Sequence, residues 1–376
     1  MNIGLYVHIP FCQQKCFYCD FPSFAGQENL QGAYMAALNK EIFIQSGYNY
    51  NAIDSIFIGG GTPTMLSEYM LSSLLEHIYK NFNVTKDAEV SIEANPGTVD
   101  ENKLKVLFDG GVNRISFGVQ SFNDDVLIKC GRIHTALQAQ ESVYQAQAVG
   151  FNNINIDLMY SLPEQSVEIF QQTLQQAFTL KVQHLSIYGL KIEEGTPFYQ
   201  WEAEGKLKLP DEQTEDEMDA LINKLLLKND YIRYEISNYA KGGYECKHNL
   251  KYWHYQNYLG LGAGAHSLLY PQRTSNVRDI TTYIEKINNN ELPIATNTML
   301  DKNAAMEEFC FLALRTAKGM NIKKFTEFFA TDFNGLYGGK VKALIEKGLL
   351  QQHGEFISLT AGGQKYGNVV FAEFLL

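Results

Sequence analysis

No hydrophobic run among the 376 residues approaches the roughly 20 needed to cross a bilayer. The first twelve residues carry no basic segment, and Pro10 and Cys12 interrupt the opening apolar run, so no targeting peptide is expected. Lysine and arginine (31) are outnumbered by aspartate and glutamate (42), the formal charge is −11, and no Lys/Arg block occurs. Nucleic acids and anionic membranes need a basic footprint, so neither is expected as a general partner. There is no internal repeat and no low-complexity segment. A hydrophobic content of 45% with 19% charged residues is that of an ordinary globular chain. Cysteine is scarce: six in all, with Cys130, Cys246 and Cys310 standing alone and Cys12, Cys16 and Cys19 packed within eight residues. Without a targeting signal the expected compartment is the cytosol, where clustered thiols serve as metal ligands or catalysts more often than as disulfides.

From Leu5 to Leu190 short β-rich runs alternate with amphipathic ones. The β-like runs are "LYVHI" (5–9), "SIFIGGG" (55–61), "VSIEANP" (90–96), "RISFGVQ" (114–120), "INIDLMY" (154–160) and "HLSIYGL" (184–190), with helical patterns such as 69–82 and 166–178 between them. Six nearly continuous apolar strands alternating with helices predict an α/β fold with a parallel sheet, whose C-terminal rim is where ligands bind. After Pro210 a helix over 212–228, its acidic start solvated, leads to a strand over 231–240, to "CKHNLKYWHY" (246–255) and to "LGLGAGAHS" (259–267). The polar stretch 288–303 reads as a linker. The tail reads as two or three helices and a hairpin, a winged-helix-like module. With the chain's negative charge and no basic recognition face, that module suits a structural or protein-docking role. Cys310, in the apolar stripe "FCFLAL", behaves as a small hydrophobe.

The cluster "YVHIPFCQQKCFYCDF" (6–21) spaces its thiols Cys-x3-Cys-x2-Cys. A structural zinc site wants four ligands, and no second pair follows. Three thiolates on one loop suit a 4Fe–4S cluster with one iron left open, against the alternative of three buried cysteines. "GGGTPT" (59–64) lies between a strand and a helix, where missing side chains let backbone approach a ligand. Glu93 in "IEANP", Gln120 in "GVQSF" and Asp157 in "IDLMYSLP" are polar residues at strand ends, and Arg132 in "CGRIH" adds a cation. Each alone reads equally as a helix cap or a neighbour's partner; together, at corresponding strand ends, they favour a site. Taken alone, His248 in "HNLKYW" reads as a satisfied structural residue; a resemblance of that pattern to haem-binding proteins would make it a haem-iron ligand, with Cys246 and His266 as alternatives. His8 is expected to face inward.

These motifs resemble the radical S-adenosylmethionine (SAM) superfamily over essentially the whole chain. The resemblance implies a partial (β/α)6 barrel over 1–235, an extension over 236–300 carrying the HNxxYW pattern, and the winged-helix-like module over 301–376. It implies that Cys12, Cys16 and Cys19 hold a 4Fe–4S cluster and that SAM chelates the open iron, there to be cleaved to a 5′-deoxyadenosyl radical. Gly60, Gly61 and Thr62 would bind the SAM amino group; Glu93, Gln120, Arg132 and Asp157 would complete its pocket, with Tyr6 and the aromatic Tyr18 beside the cluster. "YVHIPFC", "GGGTPT", "EANP", "GVQSF" and "DLMYSLP" together resemble the branch that holds oxygen-independent coproporphyrinogen III oxidase and the haem chaperone HemW. The oxidase pattern has a fourth cysteine where this chain has Phe21, and an N-terminal extension before the first strand; both differences argue for the chaperone, with the oxidase as the alternative. The implied cofactors are the cluster, SAM and haem, and the implied partners are haem-accepting proteins, met in the cytoplasm or at the membrane, and a second copy in a dimer. No catalytic residue is singled out, and reductive SAM cleavage is left open.

Overall fold

A computed structural model of the chain describes residues 2–48 and 50–376. Six strands lie parallel in sequence order: β1 Ile3–Ile9, β2 Ile53–Gly60, β3 Val84–Ala94, β4 Arg114–Gln120, β5 Ile154–Tyr160 and β6 His184–Gly189. Their apolar side chains are buried on both faces, as crossover helices require. The helices start where the sequence supplies caps: Ser67 and Ser166 accept from Met70 and Ile169 N–H, and Thr135 forms a capping box with Gln138. This is the α/β architecture with a parallel sheet that the alternation predicts.

The barrel does not close on itself. β6 pairs antiparallel with the hairpin β7 Ile232–Arg233 and β8 Asn238–Ala240, while β1 pairs parallel with β9 Tyr258–Leu261. Antiparallel strands β10 His266–Leu269, β11 Gln272–Asn276 and β12 Ile294–Met299 then continue the same sheet, giving twelve strands in the order β12-β11-β10-β9-β1-β2-β3-β4-β5-β6-β8-β7. The structure therefore differs from the sequence reading in two places. The strand expected over 231–240 is a hairpin, and the linker expected over 288–303 contains β12, whose polar, exposed residues hide its pairing with β11. The stretch 236–300 supplies strands to both edges of the barrel sheet.

The C-terminal module runs helix Lys302–Ala313, β13 Met320–Asn321, helices Ile322–Phe329 and Phe333–Glu346, β14 Leu350–His353 and β15 Phe356–Leu359, with sheet order β13-β15-β14. It has an aromatic core of its own around Phe309, Phe325, Phe329 and Phe333. Arg273 of β11 clamps it to the sheet through a bidentate pair with Glu308, at 2.5 and 2.7 Å. Among the described residues no helix is long and apolar enough to cross a membrane.

Glu41, on the helix Gln31–Ser46, is fully buried and faces no cation. It accepts hydrogen bonds from Gly262 N–H (2.8 Å), Asn276 Nδ2 (3.0 Å) and the Tyr283 hydroxyl (2.6 Å), tying the glycine-rich loop 262–265 to the barrel wall. Burial outweighs these donors and pushes its pKa from 4.5 up to about 7. A carboxyl raised on folding binds more protons in the native state, so its stabilising effect is complete below pH 4.5 and is lost as pH rises through 7. Relative to Glu41→Gln, the native protein should lose about 3 kcal/mol of unfolding free energy between pH 4.5 and 7.5, as read by denaturant titration. A pH-independent difference would show that the three donors hold Glu41 ionised.

Candidate cofactor site

The cysteine loop leaves β1 and is closed at its base by Cys12 N–H to Phe24 carbonyl (3.0 Å) and Phe24 N–H to Pro10 carbonyl (2.8 Å). Its middle is pinned by Phe17 N–H to Cys130 carbonyl (3.1 Å) and by packing of the Phe17 ring on Trp201 at 5.0 Å. Inside the barrel the Tyr6 hydroxyl donates to His8 Nδ1 (2.9 Å), and His8 Nε2–H donates to Pro22 carbonyl (2.9 Å), which fixes the exit of the loop. All six cysteines are free thiols. Thr62 Oγ1 donates to Cys12 Sγ (3.7 Å) and Arg132 Nη1 to Cys16 Sγ (3.3 Å), so two donors point at sulfur.

The glycine loop follows β2. Gly60 has φ +114°, and a Cβ there would lie 2.4 Å from the His8 ring, so both backbone and space demand glycine. The amide N–H groups of this loop are all engaged: Gly60 with Glu93 Oε2 (2.9 Å), Gly61 with Ile9 carbonyl (2.8 Å) and Thr62 with Phe11 carbonyl (2.7 Å). What the loop can offer a ligand is carbonyl oxygen, the acceptor an ammonium needs.

Opposite lies an acidic wall. Asp157 accepts from Asn155 Nδ2 (2.8 Å) and Ser116 Oγ (3.3 Å). Burial first, and then the Asp157 charge, lift Glu93 to about 7, against the pull of Gly60 N–H and Arg114; burial likewise raises Asp157. Gln120 ends β4 in a left-handed conformation, φ +67°, where the β4–β5 register slips, and the bulge turns it to the cavity. Arg132 donates through Nη2 to Asn95 Oδ1 (2.8 Å) and to the Gly118 carbonyl, its buried Nε–H has no partner, and no carboxylate pairs with it among the described residues. Asn95 in turn donates to Thr62 Oγ1 (2.8 Å), linking the arginine to the glycine loop.

One cavity of about 150 Å³ collects Cys12, Cys16, Cys19, Tyr18, Gly60, Gly61, Glu93, Gln120, Arg132 and Asp157. Thr62 adjoins it beside Cys12, and Tyr6 lies beneath it, its hydroxyl held well above the usual range by burial and Glu93. Sequence reasoning missed Asn95, although it stands in the quoted "EANP", and it missed the buried cation Arg114 behind the acidic wall, for which periodicity gives no sign.

His248 stands apart. It is fully buried in the helix Lys247–Trp253, which plugs the opposite end of the barrel, with Nδ1 bonded to Ser55 Oγ (3.0 Å), Nε2 to the Tyr252 hydroxyl (2.9 Å) and its ring stacked on Phe57 at 5.5 Å. Both ring nitrogens of His248 are engaged, by Ser55 and by Tyr252. Cys246 is equally buried, its thiol directed at Glu89.

Residues 6–177 match the radical SAM superfamily, and residues 300–364 match the HemN C-terminal domain. The protein named heme chaperone HemW from Bacillus subtilis is 39% identical over 98% of each chain. Its namesake from Lactococcus lactis is 38% identical over 99% of this chain and 97% of that one. The chain belongs to the HemW family of radical SAM proteins. The solved structure of coproporphyrinogen III oxidase HemN from Escherichia coli, 24% identical, has the same fold, with a TM-score of 0.87 over 99% of this chain and 90% of that one. Membership of the radical SAM superfamily implies a 4Fe–4S cluster and SAM, and the residues fit both: three free thiols face one cavity that also holds loop carbonyls, a carboxylate pair and an arginine without an anionic partner.

Gly60→Ala should destabilise the protein well beyond the about 1–2 kcal/mol of a left-handed backbone alone, because the new methyl meets the His8 ring. Gly195→Ala, with φ +83° and open space around it, supplies the backbone cost by itself. Equal losses of thermal stability in the two variants would show that the His8 ring moves aside freely.

Proposed function

We propose that this chain is a cytosolic haem chaperone that holds a 4Fe–4S cluster and SAM in the barrel, binds haem and passes it to acceptor proteins. Full-length identity of 38–39% to two proteins named heme chaperone HemW carries the reading. Cys12, Cys16 and Cys19 would ligate three irons, and the cluster supplies one electron to SAM when both are bound. The loop carbonyls at Gly60 and Gly61, together with Glu93, suit the SAM ammonium. Arg132 suits its carboxylate, and Gln120 and Asp157 suit hydroxyl groups of its ribose. Phe21, two residues after Cys19 and exposed at the cavity lip, leaves the loop with three thiols only.

Because burial lifts Glu93 to about 7 and only its ionised form attracts an ammonium, SAM affinity should weaken below that pH by about tenfold per unit. Glu93→Gln should bind SAM weakly with no such slope; calorimetric titration of the reconstituted protein between pH 6 and 8 checks both.

The functional test is anaerobic. Cluster-reconstituted protein is incubated with SAM, a strong reductant and coproporphyrinogen III, and in parallel titrated with haem. Stoichiometric haem binding with an unchanged porphyrinogen is expected, whether or not 5′-deoxyadenosine forms. Loss of two carboxylates from the porphyrinogen, matched by 5′-deoxyadenosine, would instead make the chain an oxidase.

A further inference from the structure

We propose that the cleft between the edge hairpin of the barrel and the C-terminal module is a second binding site, which takes one oxyanion group, a phosphate or a carboxylate, on the guanidinium of Arg315. The cleft shares no lining residue with the cofactor cavity.

Two seams between barrel and module bound it. On one side the segment after the helix Lys302–Ala313 runs beside the hairpin: Thr316 bridges Glu235 antiparallel, and Ala317 N–H donates to the Tyr234 carbonyl (2.9 Å). On the other, Arg233 of β7 donates through Nη1 to Gln364 Oε1 (2.8 Å). Leu314 and Leu359, both buried, and the Phe371 ring add apolar lining. The space enclosed is about 40 Å³. A water needs about 10–15 Å³ on that measure, so the cleft has room for one small oxyanion group and not for a nucleotide.

Arg315 is arranged for such a ligand. Its guanidinium lies over the Trp253 ring at 5.8 Å and over the Phe371 ring at 5.1 Å, so two aromatic side chains hold it in place. Its side chain donates to no acceptor among the described residues, its Nε–H is buried, and no carboxylate reaches ion-pair distance. Burial lowers its pKa, and the charge of Glu235 offsets this only in part. Glu235 is itself engaged elsewhere. It is buried, its carboxylate accepts from Ser237 N–H (3.3 Å) within the hairpin, and burial raises its pKa.

Arg233 brings a second cation to the cleft. Three of its N–H groups go to Gln364 and to the carbonyls of Glu235 and Ile236, which leaves two of a guanidinium's five. With its oxygen turned to Arg233, Gln364 keeps its amide N–H groups for another acceptor. A guanidinium without an acceptor, a second with donors to spare and a free amide are the complement of an oxyanion. Because the lining comes from both barrel and module, the bound group would join them, and through Trp253 it would brace the helix that plugs the barrel.

The test is thermal unfolding of the cluster-reconstituted full chain in inorganic phosphate, in a parallel arm in sodium acetate, and in sodium chloride of matched ionic strength. Concentrations stay in the low millimolar range, so that general exclusion of the anions from the surface contributes little. A ligand bound only by the folded chain raises Tm as its concentration rises. Native protein should gain Tm over the chloride control, and the arm that gives the gain identifies a phosphoryl or a carboxylate source. Arg315→Gln should lose the gain. Gln364→Glu, at an exposed position, puts a carboxylate in the cleft and should lose it too, which keeps the test decisive should Arg315→Gln fail to fold. No gain by native protein in either arm would overturn the proposal. A gain undiminished in Arg315→Gln, or in Gln364→Glu where that variant alone folds, would put the anion elsewhere, for example on Arg132, and would overturn it equally.

Discussion

The imidazole of His8 is the joint on which the cofactor site turns. Held between the Tyr6 hydroxyl and the Pro22 carbonyl, it connects the strand that starts the barrel to the end of the loop that carries the thiols. It also occupies the space a side chain at residue 60 would need, so the second glycine of the triplet is set by a ring on the neighbouring strand as much as by its own dihedral angle. The Tyr34 hydroxyl donates to the His8 carbonyl (2.8 Å) and accepts from Ala263 N–H (2.9 Å), which extends the same support to the glycine-rich loop outside the barrel. Cysteine loop, glycine triplet and outer loop thus share one rigid reference.

Buried charge is arranged in two layers beneath the cavity. Glu93 and Asp157 form the upper layer, and burial raises the pKa of both. Below them Arg114 faces Glu89, whose carboxylate accepts the Lys247 and His248 N–H groups (3.0 and 3.1 Å) and so caps the helix that plugs the barrel. A continuous stack, Tyr6 on Phe57 and Phe57 on His248, joins the layers. The HNxxYW pattern therefore reads here as the floor of the site: its histidine and tyrosine bond to each other, and its tryptophan receives Arg315 of the C-terminal module over its ring.

Much of this was written in the order of residues. Apolar runs separated by amphipathic stretches announced the six parallel strands, and thiol spacing with polar strand ends announced a single cavity, because these depend on local pattern. What the pattern concealed depends on partners distant in sequence. β12 is polar on its exposed side and is recognisable as a strand only through its pairing with β11. His248 has the chemistry of a ligand and the surroundings of a core residue, and only the fold shows Ser55 and Tyr252 closing on it. Asn95 and Arg114 act through contacts 25 to 43 residues away, with Arg132, Asp157 and Glu89.

The parallel pairing of β1 with β9 has a consequence for how the chain is made. Gly4 meets Tyr258, a separation of 258 − 4 = 254 residues. At ribosomal rates of about 5–20 residues per second, the outer edge of the first strand waits on the order of 10–50 s for its neighbour to be synthesised. During that interval β1 can pair with β2 while its other edge, leading directly into the cysteine loop, presents unpaired backbone to the cell. The thiols are consequently accessible from the nascent chain's open side well before the glycine-rich loop can settle against Pro22.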